Sequence, residues 1–201
     1  MDRGPDRVRV GVFGGTFDPV HVGHLAIANA ALESIPLDRV VFVLARRSPL
    51  KDAGPVAGED DRLRMLELAV AGEPRFAVSR IELDREGPSY TVETLERLAG
   101  DDELFLILGG DAVADLPRWK DPERIAALAT LAVAERPGAP ERAGSTPVVR
   151  FDAPRLDISS RELRARASRG RSLRYLVPDP VWTHIEARGL YRAEESTSRK
   201  T

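Results

Sequence analysis

The strongest constraint on how this chain can fold lies between Val8 and Leu25. Val8-Arg9-Val10-Gly11-Val12-Phe13 is a short apolar run, the pattern of a buried strand. Gly14, Gly15 and Pro19 then break the pattern, and apolar residues return at helical spacing as Leu25, Ala28, Leu32 and Ile35. Strand, glycine-rich turn and helix together set backbone N–H groups and the positive end of a helix opposite an anion such as phosphate. His21 and His24, two of only three histidines in the chain, fall in this turn. A glycine pair alone would mean no more than a tight turn, with imidazoles that cap the helix or stand in solvent. Two imidazoles within four residues of one another, inside a phosphate-type turn, call for an explanation.

The stretches that follow predict an α/β fold. Arg39-Val40-Val41-Phe42-Val43-Leu44 reads as a strand covered on both faces, which completes a right-handed βαβ unit. Residues 45–55 form a loop rich in cations and breakers. Glu59 to Ala71 reads as a helix through Leu63, Leu66 and Val70, and Phe76-Ala77-Val78 and Ile81-Glu82-Leu83 read as short strands. Gly87 to Leu95 is a loop entering a helix. Leu104-Phe105-Leu106-Ile107-Leu108 is the most apolar run and the expected central strand. Thr130 to Ala134 gives another strand, Pro137 to Pro147 a break expected to be a mobile insertion, and Val148 to Phe151 one more strand. Ser160 to Ala167 is a basic helix, and Pro180 to Ala187 closes the fold with Val181 and Ile185 inward. This alternation predicts a doubly wound parallel sheet with a small helical C-terminal part. One domain is expected over residues 8–192, with residues 1–7 and 193–201 as polar, disordered ends.

Composition narrows the function classes. A formal net charge of −2 gives no overall basic field for nucleic acid, and no basic-and-aromatic surface is evident. The chain has no cysteine, hence no disulfide, thiolate nucleophile or cysteine metal site. No apolar stretch reaches membrane-spanning length and no secretory signal is evident, so the cytoplasm is the expected location. Self-association into a homo-oligomer is left open.

Gly14-Gly15-Thr16-Phe17-Asp18-Pro19-Val20-His21-Val22-Gly23-His24 resembles the signature of the nucleotidyltransferases with the HxGH motif. That superfamily includes nicotinate-nucleotide and phosphopantetheine adenylyltransferases and glycerol-phosphate cytidylyltransferases. Asp157-Ile158-Ser159-Ser160-Arg161-Glu162-Leu163-Arg164 resembles its second signature, with Arg161 where the family usually has Thr. Hydroxyls at a helix start with an arginine one turn on suit a phosphate; the plain alternative is an N-cap. Gly109-Gly110-Asp111 follows the central strand, where an acid accepts hydrogen bonds from ribose hydroxyls or caps the next turn.

Two further stretches point to the nicotinate-nucleotide branch. Ser89-Tyr90-Thr91-Val92-Glu93-Thr94-Leu95 resembles its Ser-Tyr-Thr element, and Leu116-Pro117-Arg118-Trp119 its Leu-x-x-Trp. The resemblance implies that amides at Tyr90 and Thr91 hold a nicotinate carboxylate, which a helix N-terminus favours over an amide. It implies that Trp119 stacks on the nicotinate ring, and the neighbours Pro117, Arg118, Lys120 and Asp121 predict an exposed indole. Pro49 and Lys51 match part of a loop pattern in which Ala45 replaces a proline; Lys51 meets phosphate or is solvated. Arg46 and Arg47 are expected in solvent, His184 as structural, and Tyr175 through Tyr191 as packing.

The resemblance runs from Val8 to Tyr191. It implies adenylyl transfer from ATP to nicotinate mononucleotide, with Mg²⁺ carried by ATP and no metal held by the protein. His21, His24 and Arg164 are the implied catalytic residues. Gly14, Gly15, Thr16, Phe17, Gly109, Asp111, Ile158, Ser159 and Ser160 would bind ATP, and Lys51, Tyr90, Thr91 and Trp119 the acceptor. Use of the amide mononucleotide, or an inactive nucleotide-binding regulator, are the alternatives.

Overall fold

In the computed structural model, which describes residues 7–47, 54–84, 87–135 and 148–193, six strands form one parallel sheet. They are β1 (Arg9–Gly15), β2 (Arg39–Leu44), β3 (Phe76–Ser79), β4 (Glu103–Gly109), β5 (Ala129–Glu135) and β6 (Val148–Asp152), in the order β3-β2-β1-β4-β5-β6. The helices are α1 (Val22–Ser34), α2 (Glu59–Val70), α3 (Thr91–Leu98), α4 (Gly110–Asp115), α5 (Pro122–Leu128), α6 (Ser160–Ala167) and α7 (Asp179–Arg188). A single 3₁₀ turn spans Leu116–Arg118.

The two faces of the sheet follow from side-chain alternation. In β1, Val10 and Val12 join one core while Phe13 joins the other; in β4, Leu104, Leu106 and Leu108 oppose Phe105 and Ile107. The first core carries α1, α2, α6 and α7, with Ala28, Leu66, Leu163 and Ile185. The second carries α3 and α5, with Leu95 and Ile125. A run apolar at every position is what a strand sandwiched between helices requires. Val181 and Ile185 point inward. His184 Nε2 lies 2.9 Å from Asp61 Oδ1, which ties α7 to α2 in the structural role expected of it.

One expectation is sharpened and another corrected. The centre of the sheet is shared by β1 and β4 rather than held by one strand. The run Ile81-Glu82-Leu83 is not a strand but a turn closed by Leu83 N–H donating to Arg80 O at 2.7 Å. Its apolar pattern serves burial against the helices: Leu83 and Glu82 are buried, and Glu82 Oε1 accepts from the Thr94 hydroxyl on α3 at 2.5 Å. Between β4 and β5 the chain forms α4 and α5, too short to show a helical period. The expected mobile insertion at Pro137 to Pro147 and nearly all of both expected polar ends lie outside the described residues.

Candidate active site

Because every strand is parallel, the helices following β1, β2, β3, β4 and β6 all begin at the same edge of the sheet. The strand order reverses between β1 and β4, and at their carboxyl ends stand Gly14-Gly15 and Gly109-Gly110. Such a switch point opens the crevice in which doubly wound sheets bind ligands.

On the β1 side the turn is held tightly. Phe17 is buried with φ +44°, and a Cβ on Gly15 would stand 3.0 Å from its ring. The Asp18–Pro19 peptide is cis. His21 is the extended N-cap residue of α1, and its amide donates to His24 Nδ1 at 3.2 Å. That bond leaves the His24 proton on Nε2, so the ring presents a donor on its far side. The two imidazoles stack with centroids 3.7 Å apart, and the Phe17 ring meets His24 edge-on at 5.1 Å. Gly23 makes room for this pair, since a Cβ there would approach His21 Nδ1 to 3.1 Å. Burial pushes the His21 imidazole down to about 4, so it is neutral at physiological pH. The His21 side chain faces the His24 N–H in a capping box at the start of α1, and its buried Nδ1 makes no hydrogen bond of full strength among the described residues.

The second signature packs directly on the first. Ser160 Oγ donates to Pro19 O at 2.9 Å, and Arg164 Nη1 donates to Asp18 O at 2.6 Å. Ser159 is the N-cap of α6: its hydroxyl accepts from Glu162 N–H at 3.2 Å and donates to Glu162 Oε2 at 2.8 Å. The capping alternative therefore describes Ser159, whereas Ser160 and Arg164 bind the histidine turn. Ile158 is half-buried against the first core.

The proposed acceptor residues lie toward the second core. Tyr90 is the N-cap residue of α3 and Thr91 its first residue. Ser89 anchors this element to the end of β2: its Oγ accepts from Arg46 N–H at 3.0 Å, and its N–H donates to Arg47 O at 2.9 Å. Trp119 departs from the exposure expected of it. The indole is half-buried against the second core, and its Nε1 is buried without a partner among the described residues. The polar neighbours misled because the 3₁₀ turn rotates Trp119 inward while Pro117 and Arg118 stay outside. Lys120 Nζ lies 4.5 Å over the Tyr90 ring and 2.6 Å from Glu93 Oε1, which joins the Trp119 segment to the start of α3. Arg46 forms an ion pair with Glu59 at 3.4 Å, so it is not simply solvated; Arg47 is exposed. Asp111 falls in the first turn of α4. Lys51 lies outside the described residues.

Three residues that sequence reasoning passed over hold the turn in place. Asp18 is buried: Oδ2 accepts from Val56 N–H at 2.7 Å, and Oδ1 from Ala57 N–H at 3.1 Å and the Tyr191 hydroxyl at 2.8 Å. Arg62, buried on α2, donates from Nη1 to Thr16 O at 3.0 Å and Ala45 O at 2.7 Å. A signal for it existed, because Arg62, Leu66 and Val70 fall on one helical stripe. Asp18 sat inside the motif, and Tyr191 offered nothing beyond an aromatic after a glycine.

A doubly wound parallel sheet with a glycine turn, paired imidazoles and a serine–arginine helix at its switch point defines the nucleotidyltransferase class of α/β proteins. The model of the Cytidylyltransferase-like family matches residues 12–166. A protein of Thermus thermophilus named "Probable nicotinate-nucleotide adenylyltransferase" is 52% identical over 188 residues, 92% of this chain and 100% of its own. A protein of the same name from a Roseiflexus species is 49% identical, covering 91% of this chain and 98% of its own. Among solved structures, a Plasmodium falciparum nicotinic acid mononucleotide adenylyltransferase complexed with NaAD superposes with a TM-score of 0.72. That match has 18% identity and covers 92% of this chain and 98% of that one. The chain belongs to the Cytidylyltransferase-like family and, within it, to the nicotinate-nucleotide adenylyltransferases.

Proposed function

We propose that this protein transfers the adenylyl group of ATP to nicotinate mononucleotide, releasing pyrophosphate and forming deamido-NAD. The observation that carries the reading is the union of the two signatures: Ser160 and Arg164 bind the loop that presents the stacked His21 and His24. Near-identity in length to relatives named for this activity supports it.

In this reaction the phosphate of the mononucleotide attacks the α-phosphorus of ATP in line. That phosphate is already an anion, so the step needs no general base. What the protein supplies is position and charge neutralisation. His24 Nε2–H donates to the triphosphate, and His21, neutral without ligand, gains a proton's stabilisation when phosphate charge arrives beside it. Arg164 adds a fixed positive charge from α6. Gly14, Gly15, Thr16 and Phe17 shape the phosphate turn, and Gly109, Asp111 and the Ile158–Ser159 segment belong to the ATP side of the crevice.

Mg²⁺ supplies further neutralisation when it arrives with ATP. The acid nearest the imidazoles in sequence, Asp18, already accepts three hydrogen bonds and is buried, so the ion fits best on phosphate oxygens and water. For the acceptor, the start of α3 at Tyr90 and Thr91 offers N–H groups and a positive helix end to a carboxylate, and the half-buried Trp119 offers a ring face. The reaction belongs in the cytoplasm, where ATP is made available.

The test is pyrophosphate release from ATP and Mg²⁺, run with nicotinate mononucleotide and with its amide. Strong preference for the acid is expected. Equal use would remove the carboxylate pocket from the reading, and release with neither would overturn it.

A further inference from the structure

Tyr191 lies 173 positions from Asp18 in sequence, yet its hydroxyl donates to Asp18 Oδ1 at 2.8 Å inside the first core. Getting it there takes a particular chain path. Helix α7 stops at Gly189, whose φ of +60° lets Gly189 and Leu190 N–H return to the carbonyls of Glu186 and Ile185. Tyr191 itself adopts φ +64°, a conformation that a bulky residue takes only when its surroundings over-determine it. The residue is buried, and its hydroxyl is bonded to Asp18 there.

At the other end of this bond, Asp18 gathers contacts from three parts of the chain. Its carboxylate takes the amides of Val56 and Ala57, just ahead of α2, and its carbonyl takes Arg164 from α6. Arg164 Nη1 also lies 3.6 Å from Asp18 Oδ2. Phe17 at φ +44° precedes Asp18 and His21 follows three residues later, so the direction of this carboxylate fixes how the histidine turn leaves β1. Burial, reinforced by the neighbouring carboxylate, raises the Tyr191 hydroxyl above its ordinary range and keeps it a donor.

We propose that Tyr191 is a positioning residue for adenylyl transfer, acting through Asp18 to hold the buried His21 stacked on the half-buried His24. The inference deepens the proposed reaction and rests on it only for its kinetic arm; a second arm needs no substrate.

Tyr191→Phe keeps the ring in the core and removes the hydroxyl alone. With one of its three carboxylate donors gone, Asp18 loosens and the histidine turn relaxes toward solvent. The substrate-free arm is ¹H NMR titration of the His21 imidazole. Burial holds the His21 imidazole, stacked on the His24 ring, down to about 4. In Tyr191→Phe it moves upward toward the solvated value of about 6.5. The kinetic arm is a split: kcat falls by about tenfold, as for a misplaced donor, with KM for both substrates within about twofold. Asp18→Asn weakens the acceptor instead of the donor and shifts both readouts the same way. On the Asp18→Asn background, Tyr191→Phe has a smaller effect than in the parent, because the hydroxyl there donates to a neutral amide oxygen rather than to a carboxylate. Arg192→Ala, at an exposed pair with Glu186, leaves both readouts unchanged.

A Tyr191→Phe protein that melts at lower temperature but keeps kcat and the His21 titration would overturn the inference and leave Tyr191 a packing residue. Full additivity of the two substitutions would do the same. Absence of pyrophosphate release by the parent protein would instead strike the proposed reaction, and the NMR arm would still decide Tyr191.

Discussion

Arg62 offers the sharpest test of how the mouth of the crevice is held. It is 2% exposed, and its guanidinium bridges Thr16 O and Ala45 O, carbonyls just beyond the ends of β1 and β2. Arg62→Met keeps most of the aliphatic stem and removes these two bonds together with a third, from Nη2 to Arg46 O at 3.4 Å. A buried carbonyl that loses its donor costs about 1–3 kcal/mol; Ala45 is buried, whereas Thr16 and Arg46 are half-buried. Against this stands relief: the arginine charge no longer has to be desolvated, and its Nε has no partner among the described residues. Asp18 keeps its amide and hydroxyl donors, so the carboxylate is not orphaned. The net is a loss of about 2–4 kcal/mol, which in a domain of roughly 200 residues lowers Tm by about 4–16 °C. Arg124→Met is the matched control, because its pair with Glu96 is about half exposed on both sides; exposed pairs contribute ~0–1 kcal/mol. Thermal unfolding followed by circular dichroism reads both. If Arg62→Met melts within about 3 °C of the parent, or no lower than Arg124→Met, the bridging bonds are not what closes the two strand ends.

Three other outcomes follow from the same geometry. His24→Ala should lower kcat by roughly 10²–10³-fold, as for loss of a preorganised donor to a developing charge; a variant within a few-fold of the parent in pyrophosphate release would remove His24 from the machinery. Thr94→Val takes away the hydroxyl that donates to Glu82, whose Oε2 already lacks a partner among the described residues, so urea unfolding should show a loss of about 2 kcal/mol or more. Thr94→Ser should restore it. For His21, the folded value near 4 lies below the unfolded 6.5, so the unfolded chain binds more protons between these limits. Stability gained from keeping His21 neutral is therefore complete above about pH 6.5 and lost as pH falls through about 4, a span worth at most ~3 kcal/mol. His21→Asn should flatten that part of the pH–stability curve relative to the parent, and superimposable curves would show that His21 is not desolvated.

What could be read from the sequence divides along a physical line. Local signals carried over: the strand at Arg39–Leu44 and the helix at Ser160–Ala167 fall at the expected residues, because period and breakers are written in neighbouring positions. So did the histidine turn, since consecutive residues specify it. The failures came where long-range burial overrode local pattern. Ile81 to Leu83 have a strand's composition, but their apolar side chains are used up against helices beyond the sheet's edge. Trp119 has polar neighbours in sequence and an apolar core in space. Asp18 carries the lesson furthest. Read along the chain it is one polar residue in a loop, of the kind that ordinarily faces water. In the folded protein its carboxylate is the point at which residues 56–57, Arg164 and Tyr191 converge, and all of those partners are remote from it in sequence. A buried carboxylate must collect donors from wherever the fold brings them. The donors at such a hub are therefore the residues whose roles sequence spacing conceals, and here they tie Tyr191 and α6 to the histidine turn.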